Sequence, residues 1–312
     1  MERRALGRSG IEVSVLSLGS WRTYERIPRE QGLAVMRGAR DAGITFLDDA
    51  RYDDETGKAP IRTGWSEVVF GELFRAAGWR RDQVVVANKL WWEWWPEQSA
   101  AEELDASLGR MGLDHVDLIY AERLPEGLDV DEVVGQVAGL IAVGKARAWG
   151  VLNWRAELLA EASAVAAREG VLAPAATQLV YSLANPSVVE DVAMQDALAL
   201  GGTSVVASHS LAGGALSGNY SRGEEGRLRG RLDDVGQRPA LELGERLASI
   251  RDELDATPAQ LALAFALRGP GVATVLFGAT SPEQLAENFG ALDVLERLTD
   301  DNVAALRAVA DA

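Results

Sequence analysis

Cysteine is absent from the 312 residues. That excludes disulfides, thiolate metal ligands and a cysteine nucleophile. Histidine is almost absent. With only His115 and His209, a zinc site would rest mainly on carboxylates, an uncommon arrangement, and no metal is expected. No apolar run approaches the roughly 18 residues that would read as a membrane span. The charged start MERRALGRSG has no apolar stretch behind it of the kind a secretory signal carries, so a cytoplasmic protein is expected. Basic charge is also scarce: 31 Lys and Arg stand against 47 Asp and Glu, a net charge of −16. Such a surface repels phosphate backbones and anionic lipid, which argues against nucleic-acid and membrane partners.

What is present is ordinary globular composition, 47% hydrophobic and 25% charged. Eight short apolar runs punctuate the chain: VLSLG from Val15, TFLDDA from Thr45, VVVANKL from Val84, VDLIYAE from Val116, ARAWGVL from Ala146, ATQLVYS from Ala176, TSVVASH from Thr203 and ATVLFGA from Ala273. They are continuously rather than alternately apolar, as suits strands covered on both faces of a parallel sheet. Between them lie segments of helical period, such as Ala101, Leu104, Leu108 and Met111. Thr257-Pro258-Ala259-Gln260 and Ser281-Pro282-Glu283-Gln284 each offer an N-cap, a proline at the first helical position and a reciprocal Gln.

Eight buried strands with intervening helices predict an α/β fold, a (β/α)8 TIM barrel. An open doubly wound sheet would carry a glycine-rich turn after its first strand, but Leu18-Gly19-Ser20-Trp21 holds no GxGxxG. Residues 1–14 read as an N-terminal β-hairpin. Residues 212–256, after the seventh strand, read as a long charged loop with some helix. No linker interrupts the pattern, so residues 1–312 read as one domain.

Chemistry in such a barrel sits at the C-terminal ends of the strands. Polar residues gather there: Asp48, Asp49 and Tyr52; Asn88 and Lys89; Glu122 and Arg123; Asn153; Gln178; Ser208, His209 and Ser210; and Gly278 to Ser281. A Tyr, a Lys and an Asp at one mouth make a proton-delivery unit. The ammonium lowers the phenol pKa, and the carboxylate orients the lysine.

These residues, in this order, resemble the aldo-keto reductases over nearly the whole chain. The resemblance is carried by Arg4 to Gly10 with Leu18-Gly19, by Gly43 to Asp48, and by Leu113 to Leu118. Gly150 to Asn153, Gln178, and Gly278 to Leu285 with Asn288 complete it. It implies an NAD(P)H-dependent oxidoreductase that transfers a hydride to a small organic substrate. Asp48, Tyr52 and Lys89 would be catalytic, with Tyr52 the proton donor. Asn153 and Gln178 would hold the nicotinamide carboxamide. Ser208, Ser210, Leu211 and Gly213 would run along the cofactor, and Gly278, Thr280, Gln284 and Asn288 would meet its adenosine end. NADP(H) is the family's cofactor. NAD(H) remains open, because the 2′-phosphate usually meets Arg or Lys where this chain has Thr280, Ser281 and Gln284.

Several positions depart from the family. Glu122 stands where its fourth catalytic residue is usually His, an exchange similar to that of the steroid 5β-reductases. It would let a buried, protonated carboxyl polarise a conjugated enone, so that hydride reaches the β-carbon. The other readings are ordinary carbonyl reduction and a degenerate site in which Glu122 merely pairs with Lys89, Arg123 or Arg51. The step from Asp48 to Tyr52 is one residue shorter than usual, Asp49 replaces a Thr, and Ser208 replaces an aromatic that often stacks on the nicotinamide. Trp21, Trp91, Trp92 and Trp154, from loops that wall the pocket, imply a bulky or aromatic substrate. About half of Trp91, Trp92, Trp94 and Trp95 are expected to face the pocket. A sugar-nucleotide ketone or enone is a further candidate substrate, with Arg51 or Arg123 as its anion partner. The alternative function is a cofactor-binding sensor or regulatory subunit with little turnover, similar to the potassium-channel β subunits that share the fold. The partner is otherwise a small molecule, and the chain a monomer or small homo-oligomer.

Overall fold

The computed structural model describes residues 1–218, 220 and 237–311. A hairpin comes first, β1 (Arg3–Ala5) paired antiparallel with β2 (Glu12–Ser14). Eight parallel strands follow: β3 (Leu16–Gly19), β4 (Phe46–Asp48), β5 (Val85–Leu90), β6 (Val116–Ala121), β7 (Ala146–Leu152), β8 (Ala176–Val180), β9 (Ser204–Ser208) and β10 (Val272–Phe277). They pair in chain order and close when β10 pairs with β3. The α/β barrel with an N-terminal hairpin is therefore observed, and the eight apolar runs mark its strands.

The helices α1 (Arg29–Asp41), α2 (Trp65–Ala76), α3 (Ala100–Met111), α4 (Val130–Ala142) and α5 (Ala156–Glu169) each follow a strand. The short α6 (Ser187–Glu190) and α7 (Val192–Gly201) follow β8. After β9 come a 3-10 segment, Ala212–Ser217, then α8 (Arg238–Leu254) and α9 (Pro258–Leu267). The long insertion expected there is present, while residues 221–236 of its charged stretch lie outside the described residues. The chain ends with α10 (Pro282–Phe289), α11 (Ala291–Arg297) and α12 (Asp300–Asp311). Thr257 and Gln260 complete the capping box of α9. At α10 only half of the expected box forms. Ser281 caps the Gln284 N–H, but the Gln284 side chain accepts from Thr280 instead.

Two cores result. One fills the shell between strands and helices, with Val86, Leu90, Ile119, Trp149 and Val151 facing outward from the barrel wall. The other fills the lumen with Phe46, Val85, Ala87, Leu118, Tyr120, Ala148, Leu152, Ala176 and Val206. Leu6, Ile11 and Val13 of the hairpin segment join that lumen cluster and close its N-terminal end. Arg4 fixes this plug by donating to the carbonyls of Leu267 and Val272, and the Gly7 N–H donates to Ser204 Oγ. Side chains alternate along a strand, so the inward series Val85, Ala87 continues to Lys89 and the inward Phe46 is followed by Asp48. The site begins where the lumen packing ends.

Helix α2 approaches α3 closely at Gly71, where a Cβ would fall 2.0 Å from the Met111 carbonyl oxygen. Gly109 on α3 is exposed and faces open space. Gly71→Ala is therefore expected to cost roughly 1–3 kcal/mol through overpacking. Gly109→Ala should gain up to about 1 kcal/mol from helix propensity. Urea midpoints at unchanged m-value measure both.

Candidate active site at the barrel mouth

At the end of the lumen, Lys89 Nζ donates to Asp48 Oδ1 at 2.5 Å and to the Tyr52 hydroxyl at 3.2 Å. Asp48 and Lys89 are buried, and Tyr52 is half-buried in the cavity wall. Gln178 Nε2 donates to the other Asp48 oxygen at 3.3 Å. The shortened step from Asp48 thus still brings the Tyr52 hydroxyl to the lysine. The local backbone explains why. The Tyr52 N–H donates to the Ala50 carbonyl, the Gly64 N–H donates to the Tyr52 carbonyl, and Asp53 bridges Thr63. Residues 53–63 leave and return beside Tyr52, so its ring sits on a closed base.

The electrostatics differ in one respect from the sequence expectation. Burial penalises the Lys89 ammonium, but the Asp48 carboxylate and Tyr52 outweigh it, and the pKa rises above the ordinary lysine value. Burial lifts Asp48 above the usual carboxylate range, against the pull of Lys89 and Gln178. Tyr52 also moves up: burial is the larger effect, Lys89 opposes it, and Asp48 and Asp49 add to it. The lysine does favour the phenolate, as expected, yet burial dominates the balance. Tyr52 therefore holds its proton firmly, with its hydroxyl hydrogen free to point away from the Lys89 donor.

These residues stand in a cavity of about 880 Å³. Every position singled out for the cofactor lines it: Asn153, Gln178, Ser208, Ser210, Leu211, Gly213, Gly278, Thr280, Gln284 and Asn288. Asn153 has a left-handed backbone, φ 54°, and its Oδ1 accepts the Val180 N–H at 3.3 Å. Its side-chain NH2 group remains available to a ligand carbonyl. Gly213 and Gly214 have φ of 69° and 98°, conformations that L side chains rarely adopt, so the chain bends there without a Cβ in the way. A neutral amide pair at one end and bare, turned backbone beside it suit an extended ligand with a carboxamide and a pyrophosphate.

Glu122 lines the same cavity. It is half-buried rather than buried, and its Oε2 accepts the Arg123 N–H at 2.5 Å. Among the described residues no Lys or Arg side chain forms an ion pair with it, so the pairings with Lys89, Arg123 and Arg51 do not form.

The tryptophans divide. Trp21 and Trp91 line the cavity, and Trp91 meets the Tyr52 ring edge-on with centroids 6.0 Å apart. Trp92 and Trp154 do not line it. Trp92 takes a left-handed backbone that turns its ring into the shell core against Trp95, and Glu103 accepts the N–H groups of Trp91 and Trp92. Trp154 is buried in the same core and donates its indole N–H to the Glu122 carbonyl. Of the four clustered tryptophans, Trp91 alone reaches the cavity. Arg51 is also turned away. It is buried, pairs with Glu93 at 2.8 Å and lies 4.4 Å from the Trp94 ring. Among the described residues, the arginines that line the cavity are Arg22 and Arg26, which strand-end reasoning passes over because they lie beyond the end of β3. His209, a strand-end residue, places its ring 6.3 Å from that of Trp21 at the mouth.

Comparison with known proteins agrees with this fold. The Aldo/keto reductase family profile matches residues 15–311. A rice (Oryza sativa subsp. japonica) protein named "Probable voltage-gated potassium channel subunit beta" is 32% identical over 99% of this chain and 96% of its own length. A Schizosaccharomyces pombe protein named for the same subunit is 32% identical over 96% of this chain and 90% of its own. A profile match across nearly all of the chain, and relatives this similar over at least 90% of their own lengths, lead to one conclusion: the chain belongs to the aldo/keto reductase family.

Proposed function

We propose that the chain is an NAD(P)H-dependent oxidoreductase that reduces a carbonyl, or an enone conjugated to one, in a bulky or aromatic small molecule. The observation that carries this reading is the contact of Lys89 Nζ with both Asp48 and the Tyr52 hydroxyl on the wall of a large cavity. Asn153 and Gln178 would hold the carboxamide, the turn at Gly213 would lie along the pyrophosphate, and Gly278, Thr280, Gln284 and Asn288 would meet the adenosine end. The bound nicotinamide supplies the hydride. Tyr52 delivers its proton to the substrate oxygen as negative charge develops there. Lys89 stabilises the phenolate left behind, and Asp48 holds the ammonium in place. Trp21 and Trp91 exclude water and pack against the substrate's apolar body. Glu122 faces the same space and would decide which bond takes the hydride.

A second reading is favoured by the names of the two relatives: a cofactor-binding regulatory subunit that turns over little or nothing. The two readings share the cofactor and differ in turnover.

Incubation with NADPH or NADH and a panel of aldehydes, ketones and enones, followed by loss of the reduced cofactor's absorbance, separates them. Cofactor binding without turnover across the panel selects the regulatory reading. With turnover, Tyr52→Phe should lower kcat by about a hundredfold or more at similar cofactor affinity, as for loss of a general acid; near-normal activity would remove Tyr52 from the role. Glu122→Gln should abolish enone reduction selectively. Brisk aldehyde reduction that survives the substitution, with no enone turnover in the parent, would end the enone assignment.

A further inference from the structure

Two arginines in the cavity wall have no part in the chemistry above. Arg22 and Arg26, from the segment after β3, line the same cavity as Trp21 and Tyr52. Their guanidiniums converge on one carboxylate oxygen. Arg22 Nη2 pairs with Glu55 Oε2, and Arg26 Nη2 donates to the same atom at 2.7 Å. Arg26 Nε also reaches Glu25 at 3.2 Å.

Three features set this cluster apart from a surface ion pair. The side chains of Arg22 and Arg26 are 15% and 30% exposed, against 43% for Glu55, so the cations are more buried than the anion they share. Arg22 has a left-handed backbone, φ 52°, a strained conformation for a residue with a Cβ, and such strain concentrates at ligand sites. Its guanidinium lies 5.0 Å from the Trp21 ring centroid, and its Nε is buried with no hydrogen-bond partner. One donor of the fork is thus unsatisfied beneath the cavity surface.

Glu55 belongs to the loop that leaves and rejoins the chain between Asp53 and Thr63. Although partial burial works against it, the two arginines hold its carboxyl below the usual range. Two guanidiniums already withdrawn from water, sharing one exposed carboxylate at a cavity, form an anion site filled by the protein's own side chain. Arginine forks suit carboxylate and phosphate oxygens alike. Exchanging one anion for another there adds little desolvation, and the released Glu55 returns to water.

We propose that Arg22 and Arg26 form an anion-binding subsite of the cavity, which takes a carboxylate or phosphate oxygen of the bound ligand, with Glu55 as the resident group that the ligand displaces. The proposal rests on the reading of the cavity as a site for cofactor and carbonyl substrate, which offers two sources of that oxygen: the substrate's own carboxylate and the cofactor's phosphates.

The full chain is titrated with NADPH and with NADH, and then, with and without NADP+, with benzoate and its neutral counterpart benzamide, following tryptophan fluorescence. Glu55→Gln removes the resident charge from the subsite and should tighten the anion that uses it about threefold or more. Arg26→Gln should weaken the same anion by about tenfold, the scale of one charge-assisted hydrogen bond. Arg26→Lys should weaken it less, and benzamide should move with none of them. A change confined to NADPH identifies the 2′-phosphate, one shared with NADH the pyrophosphate, and one confined to benzoate the substrate carboxylate. The proposal is overturned if Arg26→Gln leaves all three anions within about twofold of the parent. It is equally overturned if Glu55→Gln weakens them as Arg26→Gln does, since Glu55 would then be a clasp for the Tyr52 loop. A parent chain that binds neither cofactor defeats the oxidoreductase reading instead, and the benzoate titration alone then decides the subsite.

Discussion

The constraint on which the rest of the site depends is the burial of an ion pair at the end of a hydrophobic lumen. Lys89 and Asp48 are both withdrawn from water and lie above a layer that includes Phe46, Ala87 and Tyr120. Such a pair is tolerable only when its remaining polar atoms are satisfied. Here they are. Lys89 meets Asp48 and Tyr52, and both Asp48 oxygens accept a hydrogen bond, one from Lys89 and one from Gln178. The need to satisfy a buried charge therefore draws residues of β4, β5, β8 and the loop after β4 to one point.

Behind that point a second buried network holds β5 in register. Asn88, the outward neighbour of Lys89, accepts the Lys89 N–H through its own side chain and donates to Glu67 on α2 at 2.9 Å. Arg110 of α3 closes the chain by donating to the other Glu67 oxygen. Asp49 lies nearby, its Oδ1 bonded to Ser20, and burial followed by the proximity of Glu67 drives its pKa well up. The Ser20–Asp49 hydrogen bond joins the ends of β3 and β4.

How far the sequence led can be judged from single residues. The strands were legible because a parallel sheet buried on both faces leaves an unbroken apolar run, as at Val84 to Leu90. Lys89 and Asp48 were legible because they end such runs. The tryptophans were not, because proximity in sequence does not set direction. A left-handed backbone at Trp92 sends its ring into the core while its neighbour Trp91 faces the cavity. Arg22 and Arg26 were missed for a related reason: a charged residue in a loop gains meaning only when the fold brings another loop's Glu55 to it. The half-formed capping box at Ser281 shows the same limit at short range, since the Gln284 side chain had a second acceptable donor at Thr280.

The pairing of β10 with β3 brings together strands more than 250 positions apart along the chain. Asp48, Tyr52, Lys89 and Glu122 line the cavity from the first half of the chain, and the positions proposed for the cofactor all come after residue 150. The two sets face one another across a single mouth only once that last strand is in place. Long-range closure of this kind is slow to form, because the entropy of joining distant segments is spent before the contacts are gained. A chain emerging from the ribosome would thus hold Asp48, Tyr52 and Lys89 long before it could complete the cavity around them, and an enclosed mouth would arrive late and all at once, as a report that the ring had closed.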